Sequence, residues 1–178
     1  MIRGALLLIA CVVLAVACAP TGGATPPPPA PTLVLSTPLT FPTISIETAR
    51  AVLASRLSQA GLMLEPTNRR YRPSEPSVLL QAQHSVFRLA DADPNQGWLI
   101  IYDLGSAEAA AAAGDEFAGY LGTFGRTNFP ADAQFTINQV GQALVFNWWS
   151  RSRAADPAPL EAAFAAISAV GQRYEVRP

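Results

Sequence analysis

Residues 133–150 have the sequence AQFTINQVGQALVFNWWS, and this stretch decides the fold. Apolar and polar side chains alternate from Ala133 to Val140, which predicts a strand with one buried face. Gly141 and Gln142 supply a two-residue turn, and Ala143 to Ser150 is a second run of strand-forming residues. Because so short a turn can join only antiparallel neighbours, the stretch predicts an antiparallel hairpin.

An earlier pair of strand candidates predicts a second hairpin. His84 to Ala90 alternates, with Phe87 and Leu89 on one side. Trp98 to Leu104 (WLIIYDL) is apolar on both sides, as a central strand would be. Asp91 to Gly97 (DADPNQG) joins them. Acids alternate in this joining loop as in a calcium site, but no glutamate stands at the twelfth position, so we interpret it as a turn.

Three helices are predicted around these hairpins. Ser45 is expected to cap the first helix, and Gly61 to end it in the left-handed conformation. Ser106 is expected to cap the second helix, and Asp156, followed by Pro157, the third. The predicted buried positions of the three helices are, in order, Ile46, Ala49, Leu53, Leu57 and Ala60; Ala110, Ala113, Phe117, Leu121 and Phe124; and Leu160, Phe164 and Ile167.

The element order defines the fold class. A short strand is predicted at Leu62 to Leu64, before Pro66, and residues 67–77 are predicted to form a loop. The order is then α-β-ββ-α-ββ-α, and hairpins with separated helices are typical of α+β proteins. We therefore predict an α+β domain over residues 45–178, with an antiparallel sheet of about four to five strands and helices mainly on one face.

The N-terminus has the pattern of an exported lipoprotein. After Arg3, residues from Ala5 to Ala17 are continuously apolar, within the length of a signal peptide and short of the ~20 residues that a membrane-spanning helix needs. Small residues then lead to Cys18, as in the bacterial lipobox. We predict that residues 1–17 are a signal peptide and that Cys18 carries lipid. Cys11 also fits, but it would leave too short an apolar run.

The segment from residue 18 to residue 44 is predicted to be a disordered spacer. Eight of the 16 prolines fall between Ala19 and Pro42. Such a segment tends to polyproline II and gives a semi-rigid connection of ~3 Å per residue. A spacer between a lipid and a domain favours the lipoprotein over the alternative, an ordinary secretory signal cleaved after Ala17 or Ala19.

Several short sequence motifs of the domain support its interpretation as a lipoprotein. They are Ala60-Gly61-Leu62 at a helix end, Phe87-Arg88-Leu89 in a strand, Leu99-Ile100-Ile101-Tyr102 before an alanine-rich helix at Ser106 to Ala113, and Asp156 to Leu160 in the last helix. With the lipobox, they resemble a group of small uncharacterised bacterial lipoproteins over about residues 48–171. The resemblance implies a lipoprotein with a single α+β domain and no particular activity.

Composition narrows the function. The net charge is −1, so a nucleic-acid partner is not expected. His84 is the only histidine, and both cysteines lie in the first 18 residues. A zinc site in the domain would therefore need mostly carboxylate ligands, and a serine or cysteine nucleophile would have only His84 as a possible base. We predict a protein that is not an enzyme and has no metal and no cofactor.

The second hairpin supplies one candidate binding face. Strand alternation places Trp148 under the helices and Trp149 on the opposite, open face, together with Asn147, Asn138 and Thr136. Exposed tryptophan among amides suits a carbohydrate or protein partner. The alternative is that Trp149 packs at a sheet edge or under the spacer.

An arginine-rich loop supplies the other candidate. Arg69, Arg70 and Arg72 surround Tyr71 and suggest contact with an anion, either lipid headgroups or an acidic polysaccharide. The alternative is a solvated loop whose ion pairs contribute ~0–1 kcal/mol each.

These observations predict an exported lipoprotein, lipid-anchored to the cell membrane or outer membrane, that serves as a non-enzymatic binding or accessory module. The alternative is an extracytoplasmic hydrolase that uses carboxylates on polysaccharide or peptide. A third class is a purely structural envelope protein, which would have no defined pocket.

Overall fold

The structure, a computed structural model, describes residues 44–68, 70–89 and 96–177. The predicted signal peptide, Cys18 and most of the spacer lie outside these residues, as do Arg69 and most of the loop after Leu89. Contacts along the chain place all the described residues in one unit, Leu39–Pro178.

The described residues form an α+β fold with a six-stranded antiparallel sheet, which confirms the predicted class. The strand order is β1-β2-β3-β5-β4-β6. The helices are α1 (Ile44–Gln59), α2 (Ser77–Leu80), α3 (Ala107–Gly122) and α4 (Pro157–Ser168), and the strands are β1 (Leu64–Pro66), β2 (Gln83–Leu89), β3 (Trp98–Asp103), β4 (Ala133–Val140), β5 (Ala143–Ser150) and β6 (Gln172–Arg173).

Both predicted hairpins are present. β4 and β5 pair from Ala133↔Ser150 to Val140↔Ala143, and the tight turn is possible because Gly141 has a φ of 61°. β2 and β3 pair from Gln83↔Asp103 to Arg88↔Trp98. β3 lies between β2 and β5, and its side chains are buried on both faces because helices cover both.

The helix ends follow local chemistry. The Ser106 hydroxyl accepts a bond from the Ala109 N–H (3.1 Å), and the Asp156 carboxylate accepts one from the Ala158 N–H (3.1 Å), so both predicted caps are confirmed. At the end of α1, Gly61 has a φ of 73°. The Leu62 N–H then donates to the Leu57 carbonyl (2.9 Å), and this bond closes a Schellman motif.

Several local predictions are wrong. α1 begins at Ile44, so Ser45 lies inside the helix and is not its cap. Ala60 is exposed because α1 ends at Gln59. Phe124 is 83% exposed because α3 ends at Gly122, two residues before it. β1 lies two residues later than predicted, and α2 and β6 were not predicted.

Helices cover both faces of the sheet. α1 and α4 pack on one face, where Leu53, Leu57 and Ile167 meet Val145 and Trp149. Two of the three long helices in the described residues therefore share this face, in agreement with the prediction that the helices lie mainly on one face. α3 packs on the other face, and its contacts there are with Phe146, Ile100, Tyr102 and Ile137. The open face that we expected at β4 and β5 therefore does not exist.

Candidate functional site

The predicted face at Trp149 is buried. Trp149 is 1% exposed, and Asn147, Asn138 and Thr136 are also buried. The strand alternation was predicted correctly, since Trp149 shares its face with Val145 and lies opposite Phe146. The error was to assume that this face had no helices. α1 and α4 cover it, so the four residues cannot form an accessible binding surface.

The amides on this face have structural roles. The Asn138 side chain donates to the carbonyl of Ile167 (3.1 Å), in the last turn of α4, and to that of Val170 (2.6 Å), two residues after the helix ends. Asn147 donates to the Trp98 carbonyl (2.6 Å). Buried amides need such partners. These side chains therefore fasten α4 and β3 to the hairpin.

A cleft of about 570 Å³ lies along β2. Its volume is within the usual range for ligand sites, ~300–1,000 Å³. The cleft is lined by residues from four parts of the chain. These are Glu47 of α1, Pro66 at the end of β1 with Thr67 after it, residues 70–72 of the following loop, and residues 84–87 of β2. The structure therefore brings two of the three predicted arginines, Arg70 and Arg72, together at one cavity.

A buried carboxylate behind the cleft holds Arg72. The Arg72 guanidinium donates to one oxygen of Glu75 (2.7 Å), and the Tyr102 hydroxyl donates to the other (2.6 Å). The Glu75 side chain is only 2% exposed. Burial raises the pKa of Tyr102, and its bond to Glu75 raises that pKa further, so the phenol remains a donor. Arg72 is therefore anchored in one orientation.

Arg72 in turn orients the only histidine. Its second amino group lies 3.1 Å from Nδ1 of His84, whose ring packs 5.9 Å from the ring of Tyr102. The same Nδ1 lies 3.3 Å from the Ala82 carbonyl. The pattern in the sequence gave His84 no partner, whereas the fold places its ring beside Arg72 in the wall of the cleft.

Tyr71 forms a rigid aromatic wall. Its ring stacks on Trp98 at 5.4 Å with an interplanar angle of 19°, and its hydroxyl accepts a bond from the indole N–H of Trp148. Burial raises the pKa of Tyr71 to about 12, and the bond from Trp148 opposes this shift. Trp148 therefore supports the cleft, whereas Trp149, the tryptophan we expected to be functional, belongs to the core.

The charge of the cleft is positive. Glu47 is paired with Arg50 (2.8 Å), and Arg72 is paired with Glu75. Arg70 is exposed and has no carboxylate partner among the described residues. Its charge is therefore available to an anion. Arg69, the third predicted arginine, lies outside the described residues.

Sequence reasoning missed Glu75 and Tyr102. Glu75 was placed in a featureless loop, and Tyr102 was treated only as part of an apolar strand. One signal was available, because a phenol in a strand buried on both faces needs a hydrogen-bond partner. The partner itself is 27 residues away and could not be identified from spacing.

Other features are structural. Asp132 accepts bonds from the Ser150 hydroxyl (2.7 Å) and the Ser152 N–H (2.8 Å), which lower its pKa to about 2 and tie the start of β4 to the end of β5. In the part of the chain that the structure describes, no three acidic, histidine or cysteine side chains form a metal-binding group. The described helices are too short or too polar to span a bilayer.

Comparison of the chain with protein-family models, curated proteins and solved structures gives no match. The function is therefore inferred from the geometry and charge of the cleft.

Proposed function

We propose that this protein is an exported, lipid-anchored binding module that holds a ligand with an anionic group in the β2 cleft. Cys18 would carry the lipid and attach the domain to the cell membrane or outer membrane. The observation that supports binding most is the arrangement of Arg70 and Arg72, because Arg70 has no ion pair among the described residues and Arg72 is held in place by a buried glutamate.

The chemistry of the walls supports an anion with an apolar part. Arginine donates in a planar fork that matches carboxylate and phosphate groups. His84 adds a polar ring, while Tyr71 and Val86 add apolar surface. Because Arg72 is oriented before any ligand arrives, little conformational entropy is lost when the ligand binds.

A binding role, without catalysis, also agrees with the acids of the cleft. Among the described residues that line it, Glu47 is the only carboxylate, and it is paired with Arg50. The Glu75 carboxylate is occupied by Arg72 and Tyr102. Hydrolysis by two carboxylates needs an acid and a base that converge on one bond. No such pair faces the cleft in the described residues.

The anchor is tested by mass spectrometry of the N-terminal peptide from protein purified from membranes. We expect a mature N-terminus at Cys18 with palmitate and other acyl groups on that residue. An unmodified Cys18 thiol, or a mature protein that begins elsewhere, would contradict the lipoprotein proposal and leave the cleft to be judged separately.

The ligand site is tested by thermal shift with a panel of carboxylates and phosphates. A ligand at 100 times its Kd should stabilise the fold by ~2.7 kcal/mol. Arg70→Ala should abolish the shift without lowering the melting temperature of the free protein, because Arg70 is exposed and the described residues give it no ion pair to lose. Arg56→Ala, an exposed arginine on α1, is the matched control and should retain the shift. Equal shifts in both variants would exclude the cleft as the ligand site.

A further inference from the structure

The Nδ1 atom of His84 lies between a hydrogen-bond donor and an acceptor. An amino group of Arg72 is 3.1 Å away, and the backbone carbonyl of Ala82 is 3.3 Å away. Arginine can only donate and a carbonyl can only accept, so Nδ1 bonds to one of them at a time. An unprotonated Nδ1 accepts from Arg72, and a protonated Nδ1 donates to Ala82. Both states of this atom therefore have a partner in the same geometry.

Arg72 keeps its position in both states of the ring. Its other amino group donates to the Glu75 carboxylate (2.7 Å) and to the Leu80 carbonyl (3.3 Å). These two bonds do not involve His84. The ring can therefore gain a proton without displacing the arginine that it contacts.

The other charged and titratable groups around the ring come from the loop after β1, from α1 and from β3. They are Arg70, Tyr71, Arg72, Glu75, Glu47 and Tyr102. Each of the two glutamates is already paired with an arginine, and burial raises the pKa of both tyrosines, which therefore stay neutral. A proton on His84 would add a positive charge that no described carboxylate is free to compensate. An anion in the cleft would compensate it.

We infer that the cleft takes up its anion together with a proton, and that His84 holds this proton. This pH dependence rests on the proposed function and deepens it. Histidine is the side chain whose ordinary charge change falls between about pH 5 and pH 8. At the lower end of this range, Arg70 and a charged ring would both face the anion. The affinity should therefore rise as the pH falls, and by reciprocity a bound anion should favour the protonated ring.

The probes are sulfate and benzoate, because neither anion changes its charge between about pH 5.5 and pH 8. Their affinity for the purified protein is measured across this range by calorimetry at constant ionic strength, since salt screens the charges. We expect binding about tenfold tighter at the lowest pH than at the highest, which is the scale of one additional nearby charge. Thermal melts without anion establish that the protein is folded at each pH.

Two variants identify the group that takes up the proton. His84→Gln keeps a polar side chain that has no charge at any of these pH values, so its affinity should be the same throughout. Glu47→Gln changes a different ionisable side chain of the same cleft and is the matched control. It should keep the tenfold dependence.

NMR of the wild-type protein without a histidine tag gives an independent measurement, which also serves if His84→Gln does not fold. His84 is the only histidine, so its ring signal can be followed through the titration without assignment of other rings. Saturating sulfate should move the midpoint of this titration to higher pH, because the anion and the proton favour each other.

Three results would overturn the inference. They are an affinity that does not change with pH, a pH dependence that persists in His84→Gln, and a ring titration that saturating sulfate leaves unmoved. In each case the proposed function would stand if the anions bind and Arg70→Ala abolishes their binding. The absence of anion binding at every pH would refute the proposed function, and the inference with it.

Discussion

Replacement of Trp149 by alanine should destabilise the protein more than replacement of Trp148. A buried tryptophan removes ~150–250 Å² from water, or ~4–6 kcal/mol at about 25 cal/mol per Å². Core Trp→Ala changes cost ~3–5 kcal/mol. The indole N–H of Trp149 has no partner in the described residues, and its removal relieves part of this loss. We expect about 3 kcal/mol for Trp149→Ala.

Trp148 is only half-buried, packed against Phe129 at 5.1 Å and bonded to the Tyr71 hydroxyl. Half the buried area and one hydrogen bond correspond to about 2 kcal/mol. Thermal and urea melts of the two variants measure the difference. At ~4 °C per kcal/mol, the melting temperatures should fall by roughly 12 °C and 8 °C. Below both transitions, only Trp148→Ala should weaken ligand binding, because Trp148 holds Tyr71 in the cleft wall.

A loss of less than ~0.5 kcal/mol for Trp149→Ala, the scale of surface substitutions, would refute this reasoning. It would mean that α1 and α4 do not cover the face of the sheet that carries Trp149. Weaker ligand binding in folded Trp149→Ala would contradict the division of roles between the two tryptophans.

Three further changes test other parts of the fold. Asp132→Asn should lower the free energy of unfolding at neutral pH. The pKa of Asp132 falls from 3.8 to about 2 on folding, so the difference from wild type should shrink as the pH falls from about 4 to 2 in acid melts. Gly122→Ala should loosen the C-terminal segment, because a Cβ would overlap the Arg177 carbonyl, and hydrogen exchange would show this. Gly119→Ala has open space around it and should stabilise α3 by ~0.5–1 kcal/mol, which thermal melts would measure. Asn138→Ala should cost ~1–3 kcal/mol in a urea melt, because it removes two buried hydrogen bonds to the carbonyls of Ile167 and Val170.

Local signals predicted much of the fold. The alternation and Gly141 determined the β4–β5 hairpin, and Ser106 and Asp156 determined where α3 and α4 begin. These features depend on neighbours in the chain, so a single sequence contains the necessary information. By contrast, β6 has only two residues, and both are exposed, so no hydrophobic pattern marks it.

The candidate site was only partly predictable, for a physical reason. The strand period shows which residues share a face, but tertiary packing decides whether a helix covers that face. The Arg72–Glu75–Tyr102 cluster joins a loop to a distant strand, so its geometry appears only in the folded chain.

The measurement that tests the central claim most directly is an NMR titration of the purified protein with small carboxylate and phosphate ions. If the β2 cleft is the ligand site, backbone amide signals should move at residues 67, 70–72 and 84–87, and the arginine side-chain signals of Arg70 and Arg72 should move with them. Arg70→Ala should abolish these changes, and Arg56→Ala should leave them intact. Changes centred elsewhere on the domain, or changes that persist in Arg70→Ala, would contradict the claim.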